Sequence, residues 1–141
     1  MTFKSSLKLD SPIFSTEKRK AAGGRAVMKT ARAFKDSTRR KMVESNPSGR
    51  IYRKTSGVGF TRSHQASRRG ERPAVESGNL ARSGKVKRIS PVETEVSIGE
   101  NLPYTEKLVK SGRVIVSNQD LKEAQRELDQ NALSELRGLI K

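Results

Sequence analysis

Cysteine and tryptophan are absent from this 141-residue chain, histidine occurs once, and aromatic residues make up 4%. Without cysteine there are no disulfides and no thiolate metal sites. The lone His64 lies in a basic stretch without the companions that metal binding needs. A Ser–His–Asp triad is assembled in space, but no serine here sits in a nucleophile-elbow pattern. Gly57-Val58-Gly59 lacks the Gly-Lys-Ser/Thr that completes a phosphate loop, and Gly23-Gly24 follows no predicted strand. Glu93 and Glu95 alternate with apolar residues, the pattern of a solvated strand face rather than an acid/base couple. No apolar run approaches the roughly 20 residues of a membrane span, and the first residues carry no long apolar segment of the secretory kind. The expectations are a cytoplasmic protein with no membrane partner, no cofactor, no metal and no catalytic site.

Large aliphatic residues are also scarce. Leu, Ile, Val and Phe together are about a fifth of the chain, close to the level at which strong charge predicts disorder. A small core is possible, with other segments ordered by neighbours. Positive charge is what the chain has in excess, a formal +15. Residues 1–90 hold 23 Lys/Arg against 6 Asp/Glu, a net of +17, whereas residues 91–141 hold 7 against 9, a net of −2. A segment so charged repels itself and attracts polyanions, either nucleic acid or acidic protein surfaces, with composition favouring the former.

Along the chain, residues 1–14 read as an arm: Phe3, Leu7, Leu9 and Ile13 suit an extended segment on an apolar surface, and Pro12 opposes helix at Ser11. Ser15 or Thr16 can cap a helix that Gly23-Gly24 interrupts or delays. From Arg25, residues Val27, Met28, Ala31, Phe34, Thr38 and Met42 form one stripe of an amphipathic helix ending before Asn46-Pro47. Asn79 precedes a helical turn at Leu80 to Ser83. Val86 to Ile89 and Val92 to Ile98 read as a hairpin able to set Lys85, Lys87 and Arg88 against Glu93 and Glu95. Leu102-Pro103-Tyr104 opens a short helix through Val109. Val114-Ile115-Val116 reads as a buried strand. Ser117 with Asp120 resembles a capping arrangement. Leu121, Ala124, Leu128, Ala132, Leu136 and Leu139, widened by Leu133 and Ile140, give a final helix. The fold class is α+β: one small antiparallel sheet packed with a long N-terminal and a C-terminal helix, in a single domain over 15–141.

Residues 47–79 are the exception. They are rich in Gly, Ser and Arg, with a short strand possible at Ile51-Tyr52-Arg53. Some thirty residues without periodicity is long for a loop in a compact domain, so a projecting arm or hairpin is expected. Its contact candidates are Arg50, Tyr52, Arg53, Lys54, Phe60, Arg62, Arg68, Arg69 and Arg72. With two aromatics among them, phosphate contact without sequence readout is the natural chemistry; a solvated loop is the plain alternative.

The same segment carries a resemblance. Ser48-Gly49-Arg50-Ile51-Tyr52, then His64-Gln65-Ala66-Ser67, then Gly70-Glu71-Arg72-Pro73-Ala74 through Gly78-Asn79-Leu80-Ala81-Arg82-Ser83 resembles phage tail-completion and head–tail joining proteins. Their pattern runs SGxxY, HxAS, PGExPAxxTGxLxxS. The order of flanking elements matches over about residues 25–140. Arg68-Arg69 departs from the family's small residue and Pro, and Glu76-Ser77 from its Asp-Thr. The resemblance implies a structural virion protein of the neck, not an enzyme. It would act as a homo-oligomeric ring, sixfold or twelvefold, among connector and tail-tube proteins, with non-specific contact to genomic DNA. A free-standing, sequence-independent nucleic-acid-binding protein explains the charge equally well.

Overall fold

The computed structural model of the protein describes residues 2–6, 17–55, 61–74 and 78–139, with the backbone alone at 2–6, 54–55 and 61–62. The elements run β1 (Thr2–Ser6), α1 (Glu17–Val43), β2 (Ile51–Thr55), β3 (Thr61–Gln65), α2 (Asn79–Arg82), β4 (Lys85–Ser90), β5 (Glu93–Ser97), α3 (Thr105–Lys110) and α4 (Asn118–Arg137). The class is α+β, with two small antiparallel sheets: one ordered β1-β5-β4, the other the β2-β3 hairpin. Ser15, Thr16, Leu7, Leu9 and Ile13, invoked for the cap and the arm, lie outside the described residues.

α1 sits in the middle. Its Val27, Ala31, Phe34, Thr38 and Met42 are buried, as the helical spacing predicts, and so are Ala22, Gly23, Gly24, Ala26 and Thr30. That breadth follows from two neighbours: the three-stranded sheet packs on one flank and α4 on the other. The C-terminal helix therefore packs on α1 and not on the sheet. Thr94 and Val96 of β5 point inward, while Glu93 and Glu95 stay half-exposed. Phe3 of β1 and Val86 of β4 both lie opposite Val96, and Lys87 lies opposite Glu95. Ala31, Phe34, Met42, Leu80, Ala81, Val96, Ile98, Ile115 and Ala124 make one core.

Three expectations are corrected. Gly23-Gly24 does not interrupt or delay the first helix, which runs through it unbroken from Glu17. A Cβ on Gly24 would stand 2.1 Å from the Pro91 carbonyl oxygen and 2.7 Å from Nη2 of Arg88. The missing side chain thus lets the β4–β5 turn come down onto α1, which outweighs the loss of helix propensity, about 1 kcal/mol. Val114-Ile115-Val116 is not a strand. Ile115 is buried, but the segment pairs with residues 70–72 through isolated bonds: Gly70 N–H donates to the Gly112 carbonyl at 2.8 Å and Val114 N–H to that of Glu71 at 3.0 Å. The inward stripe of α4 matches the expected one only in part, at Ala124 and Leu128. It runs Asp120, Ala124, Leu128 and Asn131, while Leu133 and Leu139 are exposed at 55% and 38%.

α1 and α4 are antiparallel, as three cross-links show. Lys41 meets Asp120, Thr30 meets Asn131, and Arg25 meets Glu135. The Asn131 amide donates to the Thr30 hydroxyl at 3.0 Å inside the interface, which satisfies two buried polar groups at once. The predicted cap of α4 is present as a reciprocal capping box: the Asp120 N–H donates to the Ser117 hydroxyl, and the Ser117 N–H to the Asp120 carboxylate.

Candidate functional site

Residues 48–53 and 63–72 build one structure, the root of the β2–β3 hairpin. Ladder pairing continues below the strands, with Gly49 N–H donating to the Ala66 carbonyl at 2.8 Å and Ala66 N–H to that of Arg50 at 3.0 Å. A Cβ on Gly49 would lie 2.4 Å from the Ala66 carbonyl oxygen, so glycine at this position is a packing requirement. The Glu71 carboxylate closes the root. It accepts from the Ser48 N–H at 3.1 Å, from the Ser48 hydroxyl, and from the Arg68 N–H at 2.7 Å. These bonds to Ser48 and the Arg68 amide hold its carboxyl at about 2, below the usual carboxylate range.

The root is bolted to the domain. Arg113 donates to the Ser67 carbonyl at 2.8 Å. Nη1 of Arg72 donates to the Ile115 carbonyl at 2.8 Å, and its Nη2 to both oxygens of Asp120 at 2.8 and 2.7 Å. Lys41 of α1 donates to the same carboxylate at 2.8 Å. Burial pushes the Asp120 carboxyl up, but hydrogen bonds from Lys41, the Ser117 backbone, Arg72 and the Ser117 hydroxyl outweigh it, leaving it ionised well below the usual range. Asp120 and Glu123 in turn raise the Lys41 ammonium above its ordinary value. One carboxylate therefore joins the middle helix, the hairpin root and the start of α4. Farther along, Gly78 precedes α2, whose Leu80 is buried, and the Ser83 hydroxyl accepts from the Gly99 N–H at 2.8 Å. The stretches SGRIY, HQAS and GERPA thus meet in one network, while GNLARS docks separately through Leu80 and the Ser83–Gly99 bond.

The sequence-derived contact residues separate into groups. Arg50, Tyr52 and Arg53 are exposed on the hairpin, with the Arg50 guanidinium 5.8 Å from the centroid of the Tyr52 ring, within range of a cation–π contact. Tyr52 faces His64, and Lys54 faces Arg62, across the ladder. Phe60 lies outside the described residues. Arg68 is exposed, and Arg69 lies against Gly112. Arg72 does not belong with an outward contact set, since its guanidinium is committed to Asp120 and Ile115 with 18% of the side chain exposed. Among the described residues, no cluster of three His, Asp or Glu could hold a metal ion, and no helix is long and apolar enough to cross a membrane.

A second basic surface was not singled out by sequence, which treats charges on an amphipathic helix as its solvated face. Arg25, Met28, Lys29 and Arg32 of α1 line one open depression with Gly24, and Arg88 of β4 completes it. β4 runs beside α1, with Gly84 against Lys35 at one end and Arg88 over Gly24 at the other. Arg25 has one carboxylate partner, Glu135 at 2.8 Å, and Arg88 donates to the Pro91 carbonyl at 3.2 Å. The signal available in sequence is the spacing 25, 29, 32, which puts three cations on one helical face; what brings Arg88 there is tertiary.

No protein-family model, curated protein or solved structure matches this chain.

Proposed function

We propose that this chain is a structural, non-enzymatic subunit of a phage neck, joining or completing the tail at the head–tail interface, where copies close into a ring around the DNA path. The observation that carries the reading is the hairpin. Its strands pair with each other and with no third strand among the described residues, and it leaves Ile51 and Tyr52 exposed at 59% and 50%. Its root, in contrast, is fixed by Glu71, Arg113 and the Arg72–Asp120 pair. Apolar side chains on a rigidly rooted projection suit a contact with another chain. A ring uses such heterologous contacts, a projection from each copy seated on the next. The resemblance supports the same role, since Ser48, Gly49, Ala66, Ser67, Glu71 and Arg72, which carry much of it, build this root.

Electron microscopy of the native particle that contains the chain tests the proposal. The expected result is a ring between the portal side and the tail side, with each hairpin crossing to a neighbouring chain. Single copies lying on nucleic acid, with the hairpin touching no other subunit, would overturn it in favour of a free-standing nucleic-acid-binding protein.

A further inference from the structure

We infer that the ridge formed by Arg25, Lys29 and Arg32 of α1 together with Arg88 of β4 binds the phosphate backbone of duplex DNA without reading sequence. The inference does not rest on the ring proposal, because it concerns a surface of the single chain.

Four cations surround one open depression whose lining includes no carboxylate, although Arg25 also meets Glu135 at 2.8 Å from outside it. Elsewhere this protein pairs its cations where acids are at hand: Lys41 with Asp120 and Glu123, Arg72 with Asp120, Lys110 with Glu106. Lys29 and Arg32 have no acidic partner among the described residues. Like charges three and four residues apart on a helix each cost about 0.2–0.5 kcal/mol, so the arrangement is unfavourable until an anion covers it. From Arg25 to Arg32 the helix rises about 10 Å, and a duplex presents one charge per about 1.7 Å of its axis, so one stretch of backbone can meet several of the cations together.

The same geometry argues against base readout. α1 is flanked by the sheet and by α4, so it offers an outer edge and cannot lie as a free helix in a major groove, the usual docking of a reading helix. No aromatic side chain lines the depression, which removes the stacking platform that single strands require. Charge and hydrogen-bond donors remain, the chemistry of phosphate contact.

The test is fluorescence anisotropy of a labelled random-sequence duplex with the full-length protein, from 50 to 200 mM salt. The ridge variant is Lys29→Gln/Arg32→Gln. The control is Lys122→Gln/Arg126→Gln, which removes the same charge from exposed positions of α4. Each lost phosphate contact lowers the salt slope by about 0.9, so the native protein should lose about tenfold more affinity across this range than the ridge variant does. The control should keep the native slope. Thermal midpoints of both variants establish that they fold, as expected for exposed side chains. No binding by the native protein at 50 mM salt, or equal losses in ridge and control variants, would overturn the inference.

Discussion

Asp120→Asn is the most informative single change in this structure. It keeps the shape of the side chain, removes its charge, and turns one acceptor into an amide donor that faces either the Arg72 guanidinium or the Lys41 ammonium. Removing one partner of a buried ion pair typically costs about 3–5 kcal/mol. The side chain of Asp120 is 5% exposed, but those of Arg72 and Lys41 are 18% and 31% exposed and regain some hydration, so the loss expected at pH 7 is at the low end, about 2–3 kcal/mol. For a chain of 141 residues, with about 3 °C of midpoint per kcal/mol, that is a fall of about 6–9 °C in Tm. The pH dependence fixes the cause. The folded-state pKa of Asp120 is depressed relative to about 3.9 in the unfolded chain. Its stabilisation is therefore complete above about pH 5 and is lost as pH falls through the folded value. Calorimetry of both proteins should show a constant gap in Tm from pH 8 to pH 5, narrowing progressively below about pH 4. A variant within 2 °C of the native protein at pH 7, or a gap that stays the same width down to about pH 2.5, would refute the role assigned to this carboxylate.

Three further outcomes are expected. Gly24→Ala should destabilise the fold by about 1–3 kcal/mol, despite the helix propensity of alanine, because the new Cβ meets the Pro91 carbonyl; a chemical denaturation midpoint equal to or above the native one would contradict this contact. Asn131→Leu alone should cost about 1–3 kcal/mol by orphaning the Thr30 hydroxyl, and Thr30→Val/Asn131→Leu should recover most of it; additive losses in the double-mutant cycle would show that the hydrogen bond is not what couples the two sites. Glu71→Ala should speed amide hydrogen exchange at Ser48 and Arg68 while leaving α1 protected. With a folded pKa of about 2 below the unfolded value of about 4.3, the native tie is present above that value and lost only as pH falls toward 2, so protection at Ser48 that disappears between pH 7 and pH 5 would count against it.

What sequence made legible was the part of the fold written in local chemistry. The stripe from Val27 to Met42, the turn after Asn79, the alternation through Thr94 and Val96, and the Ser117 cap all rest on neighbours within four residues, and all are present. The failures share a different cause. Gly23-Gly24 reads locally as a weak point, yet its meaning is the approach of Pro91, 67 residues away in the chain. The apolar periodicity of α4 places Ala124 and Leu128 inward as they are found, but it follows apolar residues alone. Position 131 is instead filled by an asparagine whose partner is on another helix, and Leu133 is left outside. Val114-Ile115-Val116 has strand composition but no strand partner, as residues 70–72 offer it isolated bonds and an arginine. Within the arm, Ile51-Tyr52-Arg53 was legible as strand, but its partner Thr61–Gln65 is polar and carries no alternation to betray it.

The two long edges of α1 show why charge is the least legible quantity of all. The helix carries ten Lys/Arg and two Asp/Glu, and nothing in its own sequence separates cations that hold the fold from cations left free. Topology separates them. Antiparallel packing lays Glu135 beside Arg25, and Asp120 with Glu123 beside Lys41, so the slightly acidic second half of the chain neutralises the flank it covers. The other flank receives β4, an edge strand of its sheet, which brings Lys85, Lys87 and Arg88 and no acid at all. Charged residues on an edge strand oppose pairing with a further strand, and here Arg88 also joins the Lys29 and Arg32 face of α1, while Lys85 and Lys87 alternate to the other side of the sheet. The +17 of the first ninety residues is therefore not spread evenly over a solvated surface. It is partly screened where α4 packs on α1 and left unscreened at Lys29, Arg32 and Arg88, so a polyanion meeting this chain would find a charged edge there besides the exposed Arg50, Arg53 and Arg68 of the hairpin and its root.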